Sequence, residues 1–298
     1  MASPLTIHAL PERLRRPVLI MAFAGWNDAS EAATTAARTL ARAWSAERFA
    51  TIDPEEFYHF GLSRPHIRFK AGSRTEREVI WPATEFSAAH TPDLARDVIV
   101  GVAIEPHLKW KTYCGLVLEL ARRCRVSLVL TLGALLADVA HTRPVSVTGT
   151  TSDRELAAML GIRPTRYEGP TGIVGVLNSA CREQGMPTAS LWANVPHYIS
   201  GTENPRAALA LVQRVAEFLQ TRVDLPELQE AARQFEQNLA EIVARNAEIA
   251  AYVKRLEAKG AEEDEPPPFP REELPPASDL VAEIEQFLRQ QRPGEAKD

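Results

Sequence analysis

The residues that could do chemistry fall into short polar and glycine-rich clusters, each placed just after an apolar run. They are Trp26-Asn27-Asp28, Glu105-Pro106-His107, Thr131-Leu132-Gly133, Thr148-Gly149-Thr150, Glu168 to Gly172, and Pro196-His197-Tyr198. A Glu two residues from a His, as with Glu105 and His107, can share proton-transfer work, but a Glu-Pro-His run equally builds a turn. Gly169-Pro170-Thr171-Gly172 reads as a tight turn opening a helix. Pro170 presets a helical φ, the glycines permit close approach, and Thr171 can cap the first turn. Such a helix start presents unpaired N–H groups and a positive dipole end, which suits an anion; a plain connection into a buried helix fits the same residues. His197, behind Pro196, suits a packed or hydrogen-bonded loop position better than a catalytic one. Trp26 and Trp110 could stack on a ligand, or pack against neighbours or a second subunit.

Common reaction signatures are missing. The Gly169–Gly175 stretch has neither the Gly-Lys-Ser/Thr ending of a phosphate loop nor the spacing of a dinucleotide loop, so neither ATP nor NAD is indicated and no cofactor is expected. There is no H-E-x-x-H and no G-x-S-x-G. His59, His66, His90 and His141 show no metal-ligand spacing, so no metal is expected either. Cys114, Cys124 and Cys181 are unclustered, which fits a reducing cytoplasm without disulfides or a zinc knuckle. No secretory signal is expected in Met1–Pro17, and no apolar run approaches membrane-spanning length. The net charge is −5, and Glu262 to Glu273, with six acids and one Arg, accounts for all of it. The remainder is balanced and offers no broad basic face for nucleic acid.

The elements that must position these clusters are legible from hydrophobic patterning. Val18–Ala24, Asp97–Ile104, Val126–Leu132 and Thr188–Val195 are apolar runs of the kind a strand covered on both faces requires. Arg48–Ile52 and Arg143–Gly149 read as weaker strands, and Glu56–Lys70 with Arg77–Trp81 as a local antiparallel hairpin. Thr84–Asp97 reads as a loop or short helix. Helices are predicted from Asp28 or Ser30 to Ala43, from Trp110 to Arg123, from Ser152 or Asp153 to Leu160, from the glycine turn to Gln184, and from Asn204-Pro205 to Arg222. This alternation predicts an α/β domain over residues 1–222, with a mainly parallel sheet flanked by helices. In such open sheets the ligand crevice lies along the strand C-terminal ends. The candidate site is therefore a crevice lined by Trp26, Asn27, Asp28, Glu105, His107, Gly133, Gly169, Thr171, Gly172 and His197, although loops are polar in any fold.

Beyond residue 222 the pattern changes. Leu228, Ala232, Phe235, Leu239, Ile242, Asn246, Ile249, Val253 and Leu256 alternate at spacings of four and three, an a/d seam that predicts a long heptad-patterned helix or helical extension over 223–259. Asn246 sits at an inner position, where a polar residue can fix register. The seam suits either folding back onto the same chain or a coiled coil between chains. Residues 260–277 are acidic and proline-rich and read as a linker. Leu280, Val281, Ile284, Phe287 and Leu288 then form one stripe on a predicted final helix over 278–298, which needs a surface to dock on.

Taken in order, Ala24-Gly25-Trp26-Asn27-Asp28-Ala29, Glu105-Pro106…Trp110, Thr131-Leu132-Gly133-Ala134, Gly169-Pro170-Thr171-Gly172-Ile173 and Pro196-His197-Tyr198 resemble the PAC2 (proteasome assembly chaperone 2) family, bacterial branch. The matching segments span about Pro17 to Arg222. The resemblance implies a phosphorylase- or hydrolase-like α/β fold and homo-oligomers, trimers in particular. It implies proteasome-related partners and no known reaction. Two functions are therefore expected in competition: a non-enzymatic assembly or interaction protein, and a small-molecule binder or phosphorylase/hydrolase-like enzyme using the crevice.

Overall fold

A computed structural model describes residues 3–91, 93–162 and 168–262. Ten strands and seven α-helices are formed within them: β1 (Leu5–Ile7), β2 (Val18–Ala24), α1 (Ala32–Ala43), β3 (Glu47–Ile52), β4 (His66–Phe69), β5 (Arg77–Ile80), β6 (Thr84–Ala89), β7 (Val98–Ile104), α2 (Trp110–Arg123), β8 (Leu128–Ala137), β9 (Val147–Thr151), α3 (Arg154–Leu160), α4 (Ile173–Glu183), β10 (Thr188–Pro196), α5 (Pro205–Phe218), α6 (Pro226–Arg245) and α7 (Ala247–Glu262).

Eight strands make one sheet in the order β1-β3-β6-β7-β2-β8-β10-β9. Its centre is parallel: β2 pairs with β7 and β8, and β8 with β10. Antiparallel pairings close both edges. The central strands carry continuous apolar runs because both faces are covered. Val18, Ile20 and Ala22 of β2 pack with α1 and α5. Leu19, Met21 and Phe23, alternating with them, pack with α2 and α4. The α/β architecture expected from the sequence is thus present, with parallel order confined to the middle of the sheet.

Three sequence readings change. Thr84–Ala89, expected as loop or short helix, is strand β6. Its run Thr-Glu-Phe-Ser-Ala-Ala is weak in β propensity, and it is held by ladders to β3 and β7 on either side, with Phe86 fully buried. The heptad seam does not form one helix. Asn246 is extended, and its side-chain Oδ1 accepts the N–H groups of Glu248 (2.9 Å) and Ile249 (3.1 Å), so it caps a second helix. The seam nevertheless stays on one side: Phe235, Leu239 and Ile242 of α6 and Ile249, Val253 and Leu256 of α7 bury together against Ala140, Tyr198 and Ile199 of the sheet's rim. Helix α7 continues to Glu262, past the expected linker start at Gly260. The rest of the linker and the expected helix over 278–298 lie outside the described residues.

No helix among the described residues is long and apolar enough to cross a membrane. Among the described residues the β4–β5 hairpin pairs only with itself and forms a separate two-stranded sheet.

Candidate functional site

The C-terminal ends of β2, β7, β8 and β10 share one edge because these strands run parallel. Most of the candidate residues follow from those ends, so the rim exists. At one point the protein's own side chains close it.

Asn27, Glu105 and the start of α4 form its tightest cluster. Glu105 Oε1 accepts a hydrogen bond from Asn27 Nδ2 at 2.7 Å and one from the backbone N–H of Ile173 at 2.8 Å. The helix start that the sequence offered to an anion is occupied by a carboxylate from the β7 loop, which is where a negative group is stabilised. Gly172 makes this approach possible. A Cβ there would stand 2.4 Å from Asn27 Oδ1 and 2.8 Å from Glu105 Oε1, so any other residue would wedge the loops apart. Asn27 is fully buried, and its Oδ1 has no hydrogen-bond donor among the described residues. Gly169 and Thr171 lie on the same turn but face solvent.

Asp28 is a structural group. Its carboxylate accepts the N–H of Ala33 (2.6 Å) and the hydroxyl of Thr34 (2.5 Å), capping α1 from upstream. Burial raises its pKa, and these hydrogen bonds draw it partly back. Ser30, the other expected cap, instead donates to the carbonyls of Ile199 and Ser200. Gly133 lies inside β8, four residues before its end, and is roofed by the indole of Trp192; a Cβ would fall 2.5 Å from that ring. Its smallness serves packing. Trp26 projects into solvent and is 57% exposed.

His107 does not face Glu105's partners. Its Nδ1 accepts the N–H of His59 at 3.1 Å, and its ring meets Tyr58 edge-on. His197 belongs to a third group that the sequence did not assemble. Its Nδ1 lies 3.1 Å from Asp138 Oδ1 and its Nε2 2.9 Å from the Tyr252 hydroxyl. With Nδ1 donating to the carboxylate, Nε2 is left to accept from the phenol. Burial, followed by the nearby Asp138 charge, raises the Tyr252 pKa, so the phenol is kept protonated and the chain Asp138–His197–Tyr252 fastens α7 to the ends of β8 and β10. Beside it, Tyr198 hydrogen-bonds His141 Nδ1 at 2.7 Å and accepts the His141 backbone N–H at 2.8 Å. Tyr252 was missed because it sits one position off the apolar seam, and Asp138 because β8 runs further than its apolar core.

Burial pushes the thiols of Cys114, Cys124 and Cys181 up to about 12, 11 and 11, so none is a thiolate nucleophile at neutral pH. No group of three or more His, Cys, Asp or Glu able to hold a metal is found among the described residues.

The fold and rim define an α/β protein with a parallel-centred sheet, a loop rim whose connections are tied by the Asn27–Glu105–Ile173 junction, and a helical arm packed onto that rim. The sequence profile of the PAC2 family matches residues 22–243, and the chain belongs to that family. It is similar to a PAC2 family protein from Streptomyces avermitilis, with 43% identity over 80% of this chain and 99% of that one and a TM-score of 0.73. It is similar as well to a proteasome-assembly chaperone homologue from Mycobacterium tuberculosis, with 42% identity, coverage of 79% and 99%, and a TM-score of 0.71. An archaeal proteasome activator from Pyrococcus furiosus shares the fold at 19% identity, coverage of 80% and 97%, and a TM-score of 0.65. No curated protein matches the chain.

Proposed function

We propose that this PAC2-family protein is a non-enzymatic assembly or interaction protein of the proteasome-assembly-chaperone kind, with proteasome-related proteins as partners. The observation that carries this reading is the 42% identity to the M. tuberculosis proteasome-assembly chaperone homologue, which extends over 99% of that chain. The geometry agrees with it. Glu105 occupies the start of α4, His107 and His197 are committed to separate structural partners, and large apolar side chains such as Trp26 and Leu62 are turned outward. The α/β unit to residue 222 supplies the surface, and the helical arm beyond it stiffens the rim. Self-association, with trimers as the expected size, belongs to the same reading.

Sedimentation velocity of the purified protein mixed with purified 20S proteasome α and β subunits tests it. A faster-moving joint species is expected. Independent sedimentation at every concentration, with the subunits competent to assemble alone, would overturn the reading.

One observation favours a second reading, small-molecule binding at the rim: the buried Oδ1 of Asn27, which has no donor among the described residues. It would accept a hydrogen bond from a ligand hydroxyl or amine. A thermal shift with nucleosides, nucleotides or phosphate that Asn27→Ala abolishes would establish this reading in place of the first.

A further inference from the structure

We propose that the outer face of the β4–β5 hairpin is the docking site for the C-terminal segment of this same chain, residues 263–298. Among the described residues the hairpin has no other strand beside it. Its register places Ile67 opposite Val79 and Phe69 opposite Arg77 on one face, with Trp81 continuing the row. These apolar side chains are 47–66% exposed. A two-stranded hairpin is marginal alone in water, and a contiguous apolar row of this kind marks a contact surface.

Charge selects the occupant. On the hairpin, Arg68 and Lys70 are paired with Glu78 and Glu76, whereas Arg64, Arg74 and Arg77 have no carboxylate partner among the described residues. The first part of the C-terminal segment, residues 263–273, brings the complement, with Glu263, Asp264, Glu265, Glu272 and Glu273 against the single Arg271, and the apolar stripe Leu280, Val281, Ile284, Phe287 and Leu288 follows. Arg16, Arg96 and Arg125 form another basic group, but they precede β2, β7 and β8 at the opposite end of the sheet and carry no comparable apolar row among the described residues.

Reach is sufficient. Strand β3 runs parallel to β7, so the hairpin, whose Arg68 and Val79 to Trp81 line one pocket with Ile52 to Pro54, Ala83 and Glu85 at the ends of β3 and β6, is on the same rim as α7. Five strand steps separate β3 from β10, about 24 Å at roughly 4.8 Å each. Residues 263–277 extended span about 50 Å.

Hydrogen exchange by mass spectrometry on the full chain tests the proposal, with amides 64–81 as the readout. Ile284→Asp with Phe287→Asp should speed their exchange about tenfold, as loss of two apolar anchors implies. The protection in the unaltered protein should be independent of protein concentration and weaken in high salt. A charge exchange, Glu263→Lys and Glu265→Lys, should also release the hairpin, and Arg64→Glu with Arg74→Glu should restore it. Equal exchange in all of these proteins overturns the proposal. So does protection that rises with concentration, because a second copy would then be covering the face.

Discussion

Glu105 Oε1 sits 2.8 Å from the backbone N–H of Ile173, so a carboxylate from one strand-end loop caps the helix that starts at another. The same oxygen holds Asn27 from a third loop. Three connections are thereby tied at one atom, and the positive end of α4 is neutralised from within. Glu105→Ala leaves the Asn27 amide and the Ile173 N–H without their acceptor. Urea unfolding should show a loss of about 1–3 kcal/mol, the cost of stranding buried donors. Glu105→Gln, which keeps an acceptor oxygen, should lose less.

Gly172→Ala tests the closeness of that junction. The added methyl would overlap Asn27 Oδ1 and Glu105 Oε1. A cost of about 1–3 kcal/mol is expected from overpacking. In the Glu105→Ala background, where one of the clashing groups is gone, the same substitution should cost less; additive losses would mean the two residues do not meet.

His141 gives the fold a pH dependence. Burial, then the charge of Arg206, lowers its pKa to about 4 from an ordinary 6.5, with Glu257 opposing. The unfolded chain therefore binds a proton that the native state refuses between those values. Stability should fall as pH drops from 6.5 towards 4 and level off below, by about 3 kcal/mol for this group. Urea midpoints against pH check this, and His141→Gln should flatten that part of the curve while retaining a side-chain partner for Tyr198.

Asn246 separates two readings of the arm. As a register-fixing residue in a continuous coiled coil, its replacement by Leu should stabilise the protein. As the cap of α7 it should destabilise by about 1 kcal/mol. Its Oδ1 bonds to Glu248 and Ile249 predict the loss, and thermal unfolding of Asn246→Leu decides it.

Much of the fold could be read from residue patterns, for definite reasons. Val18–Ala24 and Val98–Ile104 are covered on both faces, and such strands declare themselves as unbroken apolar runs. Strand β6 did not, because its two ladders, the burial of Phe86 and the Thr84–Tyr113 hydrogen bond override a weak local propensity. Asn27, Glu105 and Gly172 were legible as rim residues by type and position. Their meeting was not, since Glu105 and Ile173 lie 68 residues apart and no local signal pairs them. The link from His197 to Tyr252 was hidden for the same reason, and by a helix break at Asn246 that a regular heptad count passes over.

The most direct measurement of the proposed role is a time course of 20S particle formation from purified α and β subunits, followed by native gel with and without this protein. Assembly chaperoning predicts faster appearance of complete particles and a transient species containing the protein. Identical time courses, with the protein absent from every intermediate, would contradict it.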